Sequence, residues 1–313
     1  MDETEQKLKK GLGEELRTNV TLSDFISINV GGVADYFYVA KKIDDLVKAV
    51  SVAYNLGISY FIMGGGYNIV PSDNGFPGLV IKNECSSVAF SEENSQVIID
   101  SGLQLAKLIN ISAGKEFGGL EFLFGIPGTV GGAVYGNAGA FSYEIGDFVK
   151  SVILLMPKDG KMAIVKKDPE WMEFAYRSSK LKQDFCGEKY KPIILTIKLQ
   201  LVKRRRDEIL NLMKENMAKK VASQPLTEKS AGSFFKNIDS TREHSAGYLL
   251  DCAGAKRMRV GGAAFSKKHA NFLINRKNAK ATDIRLLADK AREAVKEKYN
   301  LDLEEEIEYI GKW

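Results

Sequence analysis

The sequence has few of the side chains that bind metal ions or form disulfide frameworks. It contains three cysteines, Cys85, Cys186 and Cys252, and two histidines, His244 and His269. No Cys-x-x-Cys pair occurs and these residues are far apart along the chain, so we expect no metal site. The odd number of scattered cysteines fits a reducing compartment, and we expect a cytoplasmic protein.

The sequence also lacks an apolar run suited to a secretory signal or a membrane-spanning helix. Residues 1–17 mix lysine with glutamate. Residues 122–143 carry no charge, but they contain six glycines and Pro127. Glycine costs about 1 kcal/mol and proline about 3 kcal/mol in a helix interior. We therefore expect no membrane association here, but a loop-rich segment that is buried or covers something apolar.

Strong positive charge is missing as well. The net charge is +5, and residues 203–220 contribute +4 of it with seven basic and three acidic side chains. A nucleic-acid-binding surface is usually more basic or wider, without interleaved acids. We interpret this stretch as the solvated face of a helix and expect no nucleic-acid partner.

Glycine is the residue type in excess. The chain has 313 residues, of which 44% are hydrophobic and 27% are charged, so two or three folded domains are expected and general disorder is excluded. Of the 29 glycines, 17 lie between Gly57 and Gly146. Such crowding indicates backbone that is held at special dihedral angles or approached closely by another group.

Hydrophobic periodicity predicts an α+β fold class with a strand–helix–strand unit that leads into a glycine turn. Boundaries are predicted near residues 86 and 202. The residues predicted to face inward on the helix over 208–220 are Ile209, Leu212, Met213 and Met217, and those on the helix over 283–299 are Ile284, Leu287, Ala288, Ala291 and Val295. The strands 152–156 and 161–165 are predicted to form a hairpin around Asp159-Gly160. The predicted helices are 44–56 (capped by Asp44), 104–113, 208–220, 243–253 and 283–299, and the predicted strands are 35–40, 59–63, 78–82, 96–100, 152–156, 161–165, 193–201, 259–265 and 271–275.

Two glycine-rich segments could bind a cofactor. Residues 62–69 (IMGGGYNI) place consecutive glycines after a strand, where several N–H groups can converge on a phosphate. The segment is neither a GxGxxG fingerprint nor a P-loop, and an ordinary glycine turn remains the alternative. Residues 125–140 (GIPGTVGGAVYGNAGA) are mostly small, so a flat cofactor or a phosphate could lie on the backbone. The alternative is a tightly packed bend between domains.

Three further segments carry polar side chains that could take part in chemistry, and each has a simpler interpretation. Residues 176–179 (YRSS) contain an arginine that could also lie on the surface. Residues 230–237 (SAGSFFKN) could form a buried edge with polar ends. Residues 304–306 (EEE) could be a solvated acidic run.

Taken in order, these segments resemble the UDP-N-acetylenolpyruvoylglucosamine reductase (MurB) family. The resemblance covers about residues 20–311. Within the family the chain resembles the type II subclass, since the stretch 177–233 is too short for the tyrosine-bearing insertion of another subclass. The stretches that carry it are GGVADYF (31–37), GGGYN (64–68), GIPGTVGGAVYGNAGA (125–140), YRSS (176–179), AGSFFKN (231–237), GGAAFSKKHANFLIN (261–275) and LEEEIEYIG (303–311).

The resemblance implies a flavoenzyme of peptidoglycan precursor synthesis that uses FAD and NADPH. It implies a three-domain α+β protein with a vanillyl-alcohol-oxidase-like (PCMH-type) FAD-binding fold and a separate substrate domain. The implied division is 1–86 and 87–202 for FAD, 203–300 for substrate, and 301–313 returning to the active site. In the reaction that the resemblance implies, NADPH reduces the flavin, flavin N5 delivers hydride to C3 of UDP-N-acetylglucosamine enolpyruvate, and protonation at C2 yields UDP-N-acetylmuramate. We also expect a monomer.

The family motifs assign roles to individual residues. Ser233 matches the proton donor, and Arg177 matches the arginine that holds the substrate carboxylate. Glu306 matches the glutamate that helps to stabilise the enolic intermediate. In that role Glu306 would have to be protonated, which requires that burial raise its pKa. Tyr176, Lys236 and Asn237 are the other substrate-binding candidates. The cofactor-binding candidates are Gly64, Gly65, Gly66, Tyr67, Asn68, Ile69, Pro127, Gly128, Thr129, Gly131, Gly132 and Asn137.

Two departures from the family pattern leave other functions open. Tyr67 stands where serine is common, and Ile238 stands where proline is usual. One alternative is another flavin oxidoreductase on the same scaffold that oxidises an alcohol or a sugar. The other is a flavin- or sugar-nucleotide-binding protein without turnover.

Overall fold

The computed structural model describes residues 3–185 and 187–313, so Cys186 lies outside the described residues. Within these ranges the chain forms nine α-helices: α1 (Glu3–Leu12), α2 (Ile43–Asn55), α3 (Leu105–Gly114), α4 (Val130–Tyr135), α5 (Pro169–Met172), α6 (Lys180–Gln183), α7 (Arg206–Ser223), α8 (Ala246–Cys252) and α9 (Ala281–Tyr299). Short 3-10 turns lie at Leu22–Phe25, Glu121–Leu123, Ile145–Phe148 and Ala255–Arg257.

The described residues also form eighteen strands, most of them short. They are β1 (Arg17–Thr21), β2 (Val33–Ala40), β3 (Tyr60–Met63), β4 (Ile69–Pro71), β5 (Phe76–Asn83), β6 (Val88–Ser91), β7 (Gln96–Asp100), β8 (Phe117–Gly118), β9 (Gly139–Ala140), β10 (Tyr143–Glu144), β11 (Val149–Lys158), β12 (Lys161–Lys167), β13 (Ile193–Gln200), β14 (Val202–Lys203), β15 (Arg259–Val260), β16 (Ala263–Phe265), β17 (Leu273–Asn275) and β18 (Glu308–Ile310).

The chain divides into two compact units, each built from separate stretches of sequence. Unit 1 comprises Met1–Thr18, Tyr36–Gly65 and Gly78–Ala218, and unit 2 comprises Asn19–Asp35, Gly66–Pro77 and Lys219–Trp313. The predicted division at residues 86, 202 and 300 stays a prediction.

Unit 1 contains two hydrophobic cores. One packs α3 and α4 against the antiparallel sheet β12-β11-β13-β7-β6, with Leu108, Val134 and Ile197 fully buried. The other packs α1 and α2 against strands of the sheet β1-β2-β5-β3, with Leu8 and Leu46 fully buried. The uncharged segment 122–143 contributes Val130 and Val134 to the first core, since it contains α4. Among the described residues, no helix is long and apolar enough to cross a membrane.

Unit 2 packs α8 and α9 beside the antiparallel sheet β15-β16-β17. The predicted inward face of α9 is confirmed, because Ile284, Leu287, Ala288, Ala291 and Val295 are all fully buried. A parallel pair of strands, β4 and β18, joins the residues after the glycine turn to the end of the chain, with Ile69 opposite Glu308.

Three local predictions were wrong. Asp44 does not cap α2: the N-cap residue is Lys42, whose N–H donates to the carboxylate of Asp45 in the first turn at 3.1 Å. Leu212 is 36% exposed rather than buried, while Ile209 and Met213 on the same helix are buried as predicted. The predicted strand 259–265 is a hairpin, β15 and β16, that turns where Gly261 has φ +49°.

Candidate active site

The two glycine-rich segments meet in unit 1, where Gly64 follows β3. A Cβ at Gly64 would lie 2.6 Å from Thr129 Oγ1, closer than real Cβ contacts allow, so only glycine fits. Thr129 in turn caps α4, because its hydroxyl oxygen accepts a hydrogen bond from the Gly132 N–H at 3.3 Å. The close approach of Thr129, in the second segment, therefore explains why the first segment has glycine at position 64.

Part of the second segment exposes main-chain atoms that no side chain covers. Gly128 has φ +120° and a Cβ there would meet open space, while Gly132 and Pro127 are exposed. Gly131 instead faces the protein, because its N–H donates to Ser101 O at 2.8 Å and its missing Cβ would lie 2.7 Å from Ser101 Cβ. The surface at Gly128 and Gly132 therefore has the shape that an extended cofactor needs to reach main-chain atoms, and these residues fit a dinucleotide such as FAD.

Asn137 acts inside the protein. It is 1% exposed, with φ +45°. Its amide donates to Glu144 Oε2 at 2.6 Å and to Ala175 O at 2.9 Å, and its Oδ1 accepts from the Gly146 N–H at 3.0 Å. These bonds tie the hairpin formed by β9 and β10 to the turn that carries Arg177. The predicted contact of Asn137 with the cofactor stays a prediction.

Arg177 lies at the tip of a tight turn in unit 1. Ala175 and Ser178 exchange backbone hydrogen bonds of 3.1 and 3.0 Å, and Arg177 adopts the left-handed conformation, with φ +53°. A non-glycine residue in that conformation is strained, and such strain concentrates at functional sites. The guanidinium donates from Nη2 to Gly139 O at 2.7 Å and lies 5.1 Å from the ring centroid of Tyr176, which is 46% exposed. Its direction is therefore set before any ligand binds.

In unit 2 the predicted catalytic segments lie side by side. The Glu306 N–H donates to Phe234 O at 2.8 Å, and the Lys236 N–H donates to Glu304 O at 2.8 Å. This antiparallel pairing brings the residue after Ser233 against Glu306. The pairing joins segments that are about seventy residues apart in sequence. No local sequence pattern predicts this pairing, and only the family resemblance suggests that the two segments share a site.

The second half of the glycine loop reaches the same place. Asn68 donates from its amide to Glu306 O at 3.1 Å, and its own carbonyl accepts from the Glu308 N–H at 3.0 Å. Gly66 has φ +72°, and a Cβ there would collide with Phe25 O. The structure therefore brings Asn68, Ile69 and Glu306 together in unit 2, beside the Ser233 segment. Tyr67 is 42% exposed.

The other two predicted substrate-binding residues make contacts within unit 2. Lys236 Nζ pairs with Glu304 Oε1 at 2.5 Å. Asn237 Oδ1 accepts from the Ala246 N–H at 3.0 Å, at the first turn of α8. Lys236 therefore holds the paired segments together by its side chain as well as its backbone, and Asn237 helps to cap a helix.

Asn271 is a residue of this site that the sequence analysis did not single out. It is 3% exposed, its Oδ1 accepts from the Phe235 N–H at 2.9 Å, and its Nδ2 donates to Phe235 O at 2.8 Å. The sequence does contain a signal, since an amide between Ala270 and Phe272 in an apolar stretch must find partners if it is buried.

No group of three or more His, Cys, Asp or Glu side chains among residues 3–185 and 187–313 is placed to hold a metal ion.

Comparisons with known proteins identify the domains and the family. Residues 34–166 match the family model of an FAD binding domain, and residues 224–310 match that of the UDP-N-acetylenolpyruvoylglucosamine reductase C-terminal domain. The fold resembles the crystal structure of UDP-N-acetylenolpyruvylglucosamine reductase from Thermus caldophilus, with a TM-score of 0.76 and 32% identity over 94% of this chain and 99% of that one. A berberine bridge enzyme shares the fold alone. Its structure matches with a TM-score of 0.50 and 13% identity, over 75% of this chain and 51% of that one.

Curated relatives extend the match over nearly the whole length. UDP-N-acetylenolpyruvoylglucosamine reductase of Fervidobacterium nodosum is 35% identical over 95% of this chain and 92% of its own. The enzyme of that name from Lachnoclostridium phytofermentans is 38% identical over 98% and 96%. The predicted α+β fold class with an oxidase-like FAD-binding fold is confirmed, as is an FAD-dependent oxidoreductase. The chain belongs to the UDP-N-acetylenolpyruvoylglucosamine reductase family.

Proposed function

We propose that this chain reduces UDP-N-acetylglucosamine enolpyruvate to UDP-N-acetylmuramate, a step of peptidoglycan precursor synthesis, with NADPH as the reductant. The observation that carries the proposal is the antiparallel pairing of residues 234–236 with 304–306. It sets the backbone of the Ser233 segment against Glu306, and Asn68 of the glycine loop binds the Glu306 carbonyl. Membership of the reductase family supports the same reaction.

The glycine-rich segments are the residues that would hold FAD. In unit 1 these are Gly64 and Gly65, with Pro127, Gly128, Thr129 and Gly132, and in unit 2 they are residues 66–69. Contact of the inward-facing Gly131 with the cofactor stays a prediction. When bound, FAD would supply the hydride-transfer chemistry between NADPH and C3 of the enolpyruvyl group. Bare backbone at Gly128 and Gly132 allows main-chain atoms to approach the cofactor.

Arg177 would bind the substrate carboxylate. Hydride addition at C3 pushes negative charge onto C2 and the carboxylate, and a guanidinium can hold a carboxylate in two-point geometry. Because Gly139 O already orients the guanidinium, little reorganisation is needed as that charge develops. Tyr176, beside the guanidinium, would line the same substrate position.

Ser233 would donate the proton that C2 takes up. A hydroxyl is a sufficient acid for a strongly basic enolate carbon if it lies within hydrogen-bond reach. Glu306, half-buried next to this segment, would stabilise the charge on the enolic intermediate as a neutral donor. Lys236 and Asn237 would act on the substrate through the segment that they hold in place.

Replacement of the proton donor tests the proposal. In Ser233→Ala we expect NADPH to reduce the flavin at the wild-type rate, because that half-reaction needs no proton from Ser233. Reoxidation by the enolpyruvyl sugar nucleotide should slow by roughly 10²- to 10⁴-fold, the usual contribution of a general acid. Stopped-flow absorbance separates the two half-reactions.

A matched control is Ser240→Ala, which removes an exposed hydroxyl in the same unit and should change neither half-reaction. If Ser233→Ala reoxidises the flavin at the wild-type rate, Ser233 does not donate the proton.

We infer further that the enzyme acts in the cytoplasm, since NADPH and the sugar nucleotide are both available there. We also infer that it acts as a monomer. Size-exclusion chromatography with light scattering should give the mass of one chain. A mass of two chains at micromolar concentration would contradict the monomer.

A further inference from the structure

A partly buried carboxylate, that of Glu305, adjoins the predicted catalytic glutamate. The Glu305 side chain is 18% exposed, and its Oε1 accepts hydrogen bonds from Arg292 Nη2 at 2.8 Å and from the Tyr309 hydroxyl at 3.1 Å. Arg292 lies on α9, where it also pairs with Asp289 at 3.0 Å, and Tyr309 lies on β18. Glu305 thus joins the last helix and the last strand of unit 2 through one carboxylate oxygen.

Burial is the main influence on this carboxyl group and raises the pKa of Glu305, while the charge of Arg292 and the hydrogen bond from Tyr309 act in the opposite direction. A partly buried charge of this kind is stabilised by its partners, and removal of one partner is costly. The geometry of the group is therefore sensitive to Arg292 and Tyr309.

Glu305 lies at the centre of the pairing that forms the candidate site. It stands opposite Phe235, between the bonds from Glu306 N–H to Phe234 O and from Lys236 N–H to Glu304 O. In such a pair the two residues exchange no backbone hydrogen bonds with each other, and the side chains approach closely.

The two sides of the pair are anchored differently. The backbone N–H and C=O of Phe235 both bond to the Asn271 side chain. On the facing side, the side chain of Glu305 bonds to Arg292 and Tyr309. The Ser233 segment is therefore held by Asn271, and the Glu306 segment by Glu305.

We propose that Glu305 is a positioning residue of the reaction, which fixes the register of residues 304–306 against 234–236 and so sets Glu306 relative to Ser233. The inference rests on the proposed function. Glu305 does not need to touch substrate, because its carboxylate is directed to Arg292 and Tyr309. Misplacement of catalytic groups by about 1 Å can cost up to about 100-fold in rate, so loss of the anchor should reach the chemistry.

The test compares Glu305→Gln with Asp302→Asn. Asp302 is close in sequence and pairs with Lys296 on the same helix α9 at 2.6 Å, but its side chain is 76% exposed. We expect Glu305→Gln to slow flavin reoxidation by the enolpyruvyl sugar nucleotide by roughly 10- to 100-fold, with flavin reduction by NADPH and the substrate KM within about two-fold of wild type. Asp302→Asn should leave all three unchanged.

Tyr309→Phe provides a second variant, since it removes only the hydroxyl that donates to Glu305. It should fold and should slow reoxidation by a smaller factor, about three-fold. Glu305→Gln combined with Arg292→Gln should be no slower than the slower single variant, because both remove the same ion pair.

Wild-type reoxidation rates in Glu305→Gln and Tyr309→Phe would overturn the proposal. Equal slowing of both half-reactions would also overturn it, because that result indicates a general structural role. A wild-type enzyme that reduces its flavin but never turns over the sugar nucleotide would instead refute the proposed function.

Discussion

Asn271 should contribute more to the stability of unit 2 than any exposed amide. Replacement by leucine keeps the volume close but removes the donor and the acceptor that bond the Phe235 backbone. Asn271 is 3% exposed and Phe235 1%, so little water can take over these bonds. Each buried group left without a partner costs about 1–3 kcal/mol, and the two together therefore cost about 2–6 kcal/mol of unfolding free energy.

Urea unfolding measures this loss. The chain has two tryptophans, and in a Trp171→Phe background Trp313 alone reports unit 2 through its fluorescence. Asn271→Leu should move the unfolding midpoint to lower urea with an unchanged slope, which indicates lower stability rather than a different unfolded state.

Asn74→Leu is the matched control, because the exposed Asn74 amide makes a single bond to Lys312 O at 3.2 Å in the same unit. It should cost no more than about 1 kcal/mol. A loss in Asn271→Leu that is equal to this control would refute the reasoning, since it would mean that the two bonds to Phe235 contribute no more than an exposed bond.

Two further predictions concern the cofactor segment and pH. Gly64→Ala should lower FAD occupancy, because the new Cβ would lie 2.6 Å from Thr129 Oγ1 and overpacking costs about 1–3 kcal/mol. Occupancy is measured by visible absorbance after gel filtration. The control Gly114→Ala, whose Cβ would meet open space, should retain FAD, and equal occupancy in the two variants would contradict the close-approach argument. Burial lowers the pKa of Lys220 to about 8, from 10.5 when exposed. Between these pH values the unfolded chain therefore binds more protons than the folded chain, so the unfolding free energy rises with pH. From pH 8 to 10.5 the unfolding free energy of the wild type should rise by roughly 1–3 kcal/mol relative to that of Lys220→Met. Parallel curves of unfolding free energy against pH for the two proteins would contradict this.

The regular elements with strong periodicity could be predicted from sequence. The helix predicted over 283–299 is α9, Ala281–Tyr299, and its whole predicted stripe is buried. The hairpin predicted around Asp159-Gly160 is confirmed, with Lys158 opposite Lys161, because both turn residues adopt the left-handed conformation of a tight hairpin. In these places local sequence and tertiary packing favour the same structure.

Predictions failed where tertiary packing decided between similar local choices. On α7 the buried positions are Ile209, Met213 and Lys220, whereas Leu212 is exposed. Apolar composition alone ranks Leu212 above Lys220, and only the neighbouring elements decide which face is covered. At Gly261 the chain turns between β15 and β16, since its φ of +49° lies outside the β region that a continuous strand needs.

The candidate site could be predicted only through the family resemblance. Ser233 and Glu306 are polar residues of ordinary appearance, and their segments meet by pairing across about seventy residues. The anchors, Asn271 and Glu305, gain their importance from partners that no local pattern identifies. Periodicity predicts which residues are buried, but it does not predict which buried polar groups bond to one another.

The most direct test of the central claim is a single spectroscopic titration of the purified wild-type chain. The account predicts a yellow protein that NADPH bleaches and that UDP-N-acetylglucosamine enolpyruvate then recolours, with formation of one equivalent of UDP-N-acetylmuramate per flavin reoxidised without oxygen. A protein that stays colourless with added FAD, or a bleached flavin that this substrate does not reoxidise, would contradict the account.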